Sequence, residues 1–349
     1  MKARAFLRLS LNLLVATGLL AVALTPQPAE AAAARPAKPD TVTITVHPLN
    51  APVTSQVDQL FTATVSGTSH KAVNWYVDGV LGGNTTIGTI DASGMYEPPT
   101  NFVVGPHTIT AVTQNSSKHS GSATVYLTAY AGMYTSKNDN SRTGQNLQET
   151  ILTPANVNVN TFGRLFSLTI DAGVQAQPLY VANVNLPNPQ NGAAGYHNVI
   201  YIATENDTVY AYDADGKVSG ALWKVSFIDP PTVVPVPGAC LYTDGLLGIS
   251  PTPVIDPNTN TMFVEVRTLE NPTSQCSGTY VQRMHALDIT TGEEKFGGPV
   301  VVQGQVAGTG EGSVNGVLSF DPYHENSRPG LLESQSAQDP DPIIYMGTA

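Results

Sequence analysis

VIYIATENDTVYAYDADGKVSGALWKV, residues 199–225, decides the fold. Val199 to Thr204 alternate apolar residues as a strand does, and Asn206-Asp207 then turns the chain. Val209 to Asp213 form the next strand, Asp215-Gly216 turns again, and Leu222 to Val225 form a third. Ahead of them Gln177-Pro178-Leu179-Tyr180-Val181 reads as a leading strand. Four short antiparallel strands in succession make one sheet unit.

The unit repeats. Pro253-Val254-Ile255 echoes Pro178-Leu179-Tyr180, and Ala286-Leu287-Asp288 echoes Ala211-Tyr212-Asp213 at the same offset. Met262-Phe263-Val264 stands for Ile200-Tyr201-Ile202, and Phe296 for Trp223. A third echo starts at Ile343-Ile344-Tyr345. Repeated four-stranded units of about 40–50 residues mark a β-propeller. The observed offset is longer, and removing two inserted loops, 229–250 and 269–279, restores a blade-sized unit. The expectation for 129–349 is a partial propeller of two blades and the start of a third, too few to close a ring.

Upstream, residues 41–128 alternate at period two. Val42, Ile44 and Val46 share one face, as do Phe61, Ala63 and Val65, then Val73, Trp75 and Val77. Ile109 with Ala111, and Ala123 with Val125 and Leu127, complete the set. Asp78-Gly79, Gly82-Gly83, Ser93-Gly94 and Pro98-Pro99 supply turns, so the segment predicts a β-sandwich. The fold class is therefore all-β, a sandwich followed by an incomplete propeller.

The N-terminus reads as an address. Lys2, Arg4 and Arg8 precede the uncharged run 11–24, and Ala29-Glu30-Ala31 fits the small-x-small cleavage rule. The apolar run is shorter than the about 20 residues that span a bilayer. Residues 1–31 are expected to be a signal peptide cleaved after Ala31, and 32–40 a short tether. With no second long apolar run, the mature chain is expected to be secreted, periplasmic or at the cell surface, with no membrane span.

Composition agrees with this picture. Charged residues make up 12% of the 349, while 31 Gly and 26 Pro supply turns. The net charge of −11 repels phosphate backbones, which argues against nucleic acid as a partner.

Two resemblances follow from these residues. VNWYVDGVLGGNTTIGTIDASGMYEPP (73–99) with HTITAVTQNSSKHSGSATVYL (107–127) resembles bacterial Ig-like modules, which serve as spacers. The motif Y-I-A-T-x-x-D-x-V-Y-A-Y-D-A-D-G with its following Trp resembles the blades of pyrroloquinoline-quinone (PQQ) dehydrogenases and their non-catalytic relatives. The stretch from NDNSRTGQNLQETILTPANVNVNTFGRLF (138–166) to HALDITTGEEKFGGPVVV (285–302) is similar to exported bacterial proteins built on that propeller. The enzymes of that family imply PQQ, calcium, a catalytic Asp, a stacking Trp and often a disulfide between adjacent cysteines. Here no Cys-Cys pair occurs, and the tryptophans are Trp75 in the sandwich and Trp223 at a packing position. No catalytic, cofactor or metal residue is carried over.

The remaining candidates each have a structural reading. Asp213-Ala214-Asp215-Gly216 lacks the ligand pattern of a calcium loop and reads as a hairpin corner, with Asp288 and Thr291-Gly292 as its counterpart. His285 reads as a packed strand residue, and Gly308-Thr309-Gly310-Glu311-Gly312 lacks the Lys of a phosphate loop. The polar run 137–146 reads first as a loop capping strand ends, with a groove for sugar hydroxyls or a cation as its functional alternative. Cys240 in loop 229–250 and Cys276 in loop 269–279 flank one blade. Up-and-down strands bring both loops to the same face, which makes these residues a disulfide pair.

The leading expectation is an extracytoplasmic, non-catalytic binding protein whose partners are glycans or cell-surface proteins. The alternative is the N-terminal part of a PQQ-dependent alcohol or sugar dehydrogenase. A glycan-processing propeller ranks lowest, because no carboxylate pair stands out. N-terminal sequencing of exported protein is expected to begin after Ala31 or within the next alanines; intact Met1 on membrane-bound protein would overturn the leader reading.

Overall fold

The computed structural model describes residues 42–147, 149, 151–154, 157–159, 162–334 and 343–348; the leader, the Ala31 cleavage point and the tether lie outside them. The described chain is all-β, with one 3-10 turn and no α-helix, and none of its sheets closes on itself.

Residues 42–128 hold eleven strands: β1 (Thr43–His47), β2 (Asn50–Val53), β3 (Gln59–Leu60), β4 (Thr62–Ser66), β5 (Val73–Val77), β6 (Val80–Leu81), β7 (Gly83–Asn84), β8 (Gly88–Ile90), β9 (Met95–Glu97), β10 (Gly105–Thr113) and β11 (Ser120–Leu127). They form sheets ordered β1-β4, β2-β11-β10-β5-β6 and β3-β9-β8-β7. The alternating residues meet in one core, where Ile44, Val46, Phe61, Trp75, Val77, Ile109, Val125 and Leu127 are buried. Tyr96, fully buried, donates its hydroxyl to the Ile87 carbonyl at 2.7 Å, so its polar end is satisfied. The Asp78-Gly79 hairpin turn takes left-handed backbone at both positions, as a two-residue turn between twisted strands requires.

The first long sheet follows, built from β12 (Gly132–Met133), β13 (Leu179–Leu186), β14 (Gly195–Thr204), β15 (Thr208–Asp213) and β16 (Trp223–Ser226) in that order. Val199, Tyr201, Ala203, Val209 and Ala211 face one side. Ile202, Tyr210 and Tyr212 face the other, covered by Leu168 and Ile170. Asp171 fastens this cover by accepting from Thr204 and Thr208 hydroxyls, each at 2.8 Å. At the outer edge, the Gln190 side chain receives the Lys224 N–H and donates to the Lys224 carbonyl, both at 3.1 Å. One amide thereby occupies the ladder positions a further strand would take.

The second long sheet contains β17 (Val233–Pro235), β18 (Val254–Asp256), β19 (Thr261–Ser274), β20 (Ser277–Asp288) and β21 (Val300–Val301). Its path is β17-β19-β20-β21, with β18 also paired to β19. Segment 269–279, expected as a loop, instead continues the ladder: Leu269 pairs Tyr280 and Glu270 pairs Thr279. The insertion lengthens a hairpin because its residues alternate and bond across the pair, which a free loop cannot do. Two short hairpins complete the described chain, β22 (Gln305–Ala307) with β23 (Val317–Ser319), and β24 (Leu332–Ser334) with β25 (Ile343–Tyr345).

The two long sheets pack face to face around a shared core. Trp223, 1% exposed, donates Nε1–H to the Ile289 carbonyl at 2.9 Å. Tyr201 donates its hydroxyl to the same oxygen at 2.9 Å, using both lone pairs of one carbonyl. Gly292 must lack a Cβ here, since one would lie 2.7 Å from the indole ring. Phe296 does not repeat this role: it is 73% exposed and stands off the core, so its equivalence to Trp223 fails. It takes left-handed backbone at φ 57°, which swings the side chain away from the position a continuing strand would give it.

Trp223→Ala is expected to lower the unfolding free energy by about 3–5 kcal/mol, measured by denaturant titration. A change below about 1 kcal/mol would show that the sheets are joined elsewhere.

Candidate functional site

The polar run 137–146 is where side chains converge. Lys137, Asn138 and Arg142 take left-handed backbone, coiling the run tightly. Arg142 then reaches inward with Nη1 donating to the Thr135 hydroxyl at 2.9 Å and the Ser136 carbonyl at 2.8 Å. Its Nη2 donates to the carbonyls of Gly330 and Leu331 at 3.1 and 2.9 Å. One guanidinium thus fastens residues 135–136 to the strand beginning at 332. Burial lowers its affinity for the proton, an effect the nearby Asp139 opposes. Asp139 accepts from both the backbone N–H and the hydroxyl of Thr143, and these bonds hold its carboxyl below the usual range.

With Arg142 turned inward, Asn138, Asp139 and Asn140 line a cleft of about 420 Å³. Tyr134 borders it, Asp256 comes from the end of β18 and Asn258 from the β18–β19 turn, and Glu333 comes from β24. Asn140 donates to the Glu333 carbonyl at 2.9 Å, closing one wall. Asp256 is buried and accepts the Asn258 N–H at 2.9 Å and the Thr259 hydroxyl at 2.7 Å, so its turn is rigid. Burial first, and the charge of Asp256 second, push the Glu333 carboxyl up. Among the described residues, no lysine or arginine lines the cleft. Within the run Arg142 and Asp139 tie the loop, and the Asn138 amide does so too, donating to the Gln145 carbonyl and accepting from the Tyr130 hydroxyl.

The other singled-out residues stand elsewhere. Asp213 organises its turn, with Oδ1 accepting the N–H groups of Asp215 and Lys217 at 3.0 and 2.9 Å. Asp288 does the same for Thr290 at 2.7 Å. His285 bonds Glu294 through Nδ1 at 2.9 Å and lies against the Phe227 ring, 4.2 Å between centroids. Burial lowers its pKa, opposed by the Glu294 bond. It lines two further hollows of about 400 and 270 Å³ between the long sheets. Residues 308–312 form part of the connection between β22 and β23, where the Ser313 hydroxyl bonds the Gly308 carbonyl at 2.6 Å.

Cys240 and Cys276 are joined in a disulfide, with α-carbons 5.3 Å apart. It links the 3-10 turn Gly238–Leu241 to the tip of the β19–β20 hairpin. Tyr323 donates to the Cys240 carbonyl at 2.9 Å, and its ring meets Tyr280 at 4.6 Å. The bridge thus anchors three separate stretches of chain.

Sequence reasoning missed one group of residues. Glu265 and Arg267 are both buried on the same face of β19, and Asp207 is buried at the β14–β15 turn. Both Asp207 carboxylate oxygens, Glu265 Oε1 and Arg267 Nε and Nη1 lack a hydrogen-bond partner among the described residues. Burial, then the charges of Glu265 and Asp171, hold Asp207 well above the carboxylate range. Burial pushes Glu265 up to about 8, against the opposing charge of Arg267. The signal was present as two charges inside the apolar strand MFVEVRTL; Asp207 was legible only as a turn residue.

The residues described do not fit the quinone and calcium of the PQQ enzymes. Trp223 is committed to the sheet interface, the disulfide joins distant rather than adjacent cysteines, and no three metal-ligating side chains converge among the described residues.

Glu265 has a folded-state pKa above its unfolded value, so its contribution to stability is complete below the unfolded pKa and is lost as pH rises through about 8. Glu265→Gln is expected to flatten that decline between about pH 5 and pH 8 in denaturant titrations. An unchanged slope would place the dependence on another group.

The chain matches no protein-family model and no curated protein.

Proposed function

We propose that this chain is an exported, non-catalytic binding protein in which propeller-like blades carry a glycan-binding cleft beside an Ig-like sandwich. The reading of an Ig-like module is supported by the disulfide-free sandwich core around Trp75. The reading of blades is supported by β13-β14-β15-β16, a four-stranded antiparallel meander, and by its packing against a second sheet with echoing residues. The Cys240–Cys276 bridge is compatible with an oxidising compartment, and no helix among the described residues is long and apolar enough to cross a membrane.

The cleft carries the functional reading. Its Asn140 and Asn258 amides, its Tyr134 ring and the carboxylates Asp139, Asp256 and Glu333 offer donors and acceptors at fixed positions, with no lysine or arginine in its lining among the described residues. Such a surface suits neutral hydroxyls, which both donate and accept, and disfavours phosphate, sulfate or carboxylate ligands. Polyhydroxylated ligands, glycans above all, meet that description.

Calorimetric titration with neutral oligosaccharides is expected to show binding that changes little with salt, since no ion pair forms. Glu333→Ala and Asn258→Ala, which remove lining side chains only, are each expected to weaken it about tenfold, roughly 1.4 kcal/mol. Undiminished binding in both variants, or preferential binding of polyanions, would overturn the assignment.

A further inference from the structure

A set of polar bonds joins the sandwich to the first long sheet. Thr54 shares its hydroxyl proton between the side-chain carbonyls of Asn183 and Asn198, at 2.7 and 2.8 Å. Asn183 returns a bond to the Ser55 hydroxyl at 3.0 Å, and Lys217 Nζ donates to the Asp58 carbonyl at 2.7 Å. Asn183 sits at a bulge in β13 with left-handed backbone, so its presentation depends on local shape.

Beneath this contact lies His197, 8% exposed. Its Nδ1 is 2.8 Å from Asp213 Oδ2 and its Nε2 is 2.8 Å from the Ala193 carbonyl. Both partners only accept. A neutral imidazole has one N–H, so either tautomer would aim a lone pair at an acceptor; only the imidazolium satisfies both contacts. The ring ties three pieces together: the β13–β14 connection through Ala193, its own strand, and the 213–217 turn through Asp213. That turn carries Lys217, which grips the sandwich. Asn198, the next residue, receives Thr54 and donates to Asp215 Oδ2 at 3.1 Å.

We propose that a proton held on His197 couples the sandwich to the first long sheet, and that losing this proton uncouples them. Neutral His197 must abandon either Asp213 or Ala193, and each loss loosens the platform that presents Asn198 and Lys217 to Thr54 and Asp58. The charged groups around the joint are Asp213, Asp215 and Lys217 on the turn. Asp58 faces Lys217 from the sandwich, with Glu97 close to Asp58, and the Tyr180 phenol faces the two turn aspartates from β13.

The direction of titration agrees with the geometry. The Asp213 bond raises the His197 pKa against its burial, and the Ala193 carbonyl adds to the rise. Burial pushes Asp213 up, but its bonds to His197 and to the Lys217 N–H carry it below the usual range. A raised histidine contributes fully below its unfolded pKa and loses its contribution as pH climbs through the folded one. The depressed aspartate fails only in acid. The joint is therefore closed below the raised folded-state pKa of His197 and opens above it.

Calorimetry of the full chain tests this, with one coupled transition expected at about pH 6 and two separate transitions at about pH 9. His197→Gln is expected to give two transitions at both values. Thr54→Val, which touches only the sandwich side, should also give two while leaving the His197 imidazole titration, followed by NMR, in place. A single transition at both pH values in the parent, coupling that survives either substitution, or an imidazole pKa at or below about 6.5 would overturn the proposal.

Discussion

One carbonyl oxygen, that of Ile289, holds the two long sheets in register. It accepts from Tyr201 of the first sheet and from the Trp223 indole, and the two rings lie 5.7 Å apart above the shared core. Apolar burial supplies most of the attraction between the sheets but is non-directional and tolerates sliding. Two buried donors aimed at one acceptor do not, because any slip would leave an indole N–H and a phenol unpaired in an apolar setting. Gly292 completes the constraint by admitting the indole against bare backbone.

The second sheet presents a different solution on its far face. There the covering segment 321–331 is held by long polar side chains reaching to backbone carbonyls. Arg267 takes Tyr323, Gln282 takes Pro322 and Glu325, and Arg142 takes Gly330 and Leu331. Backbone carbonyls over a sheet face must be satisfied by something, and here arginine and glutamine replace a neighbouring strand. Among the described residues the arrangement leaves Glu265 Oε1, Gln282 Oε1 and Ser327 Oγ without partners, so this layer is more polar and less complete than the Trp223 interface.

Much of the fold was legible because period-two alternation is a local signal. Ile44 with Val46, Trp75 with Val77, and Val199 with Tyr201 could be assigned to a buried face from their spacing alone, and all are buried. The failures are non-local. Phe296 resembled Trp223 in position and aromaticity, but the burial of Trp223 depends on Gly292 from another sheet and on backbone geometry that Phe296 does not share. Segment 269–279 looked like a loop because the repeat offset was too long for a blade, but Leu269 and Glu270 pair with Tyr280 and Thr279 and the register breaks only beyond Glu270. The cleft was half visible. Its polar run stood out, but Asp256 and Glu333 join it only through folding, and no spacing rule brings together residues so distant in sequence. Glu265 and Arg267 were visible as charges yet carried no motif, so their burial could not be read.

The side chain of Gln190 has a consequence for how large the first sheet can grow. By saturating both backbone groups of Lys224 it behaves as a strand one residue long, and a ladder cannot add a member to a rung already filled. The outer rim is thereby closed to registry with a second molecule without any charge being placed on it. In a chain with so few charged residues, this is a geometric substitute for the electrostatic guarding that exposed sheet edges otherwise require.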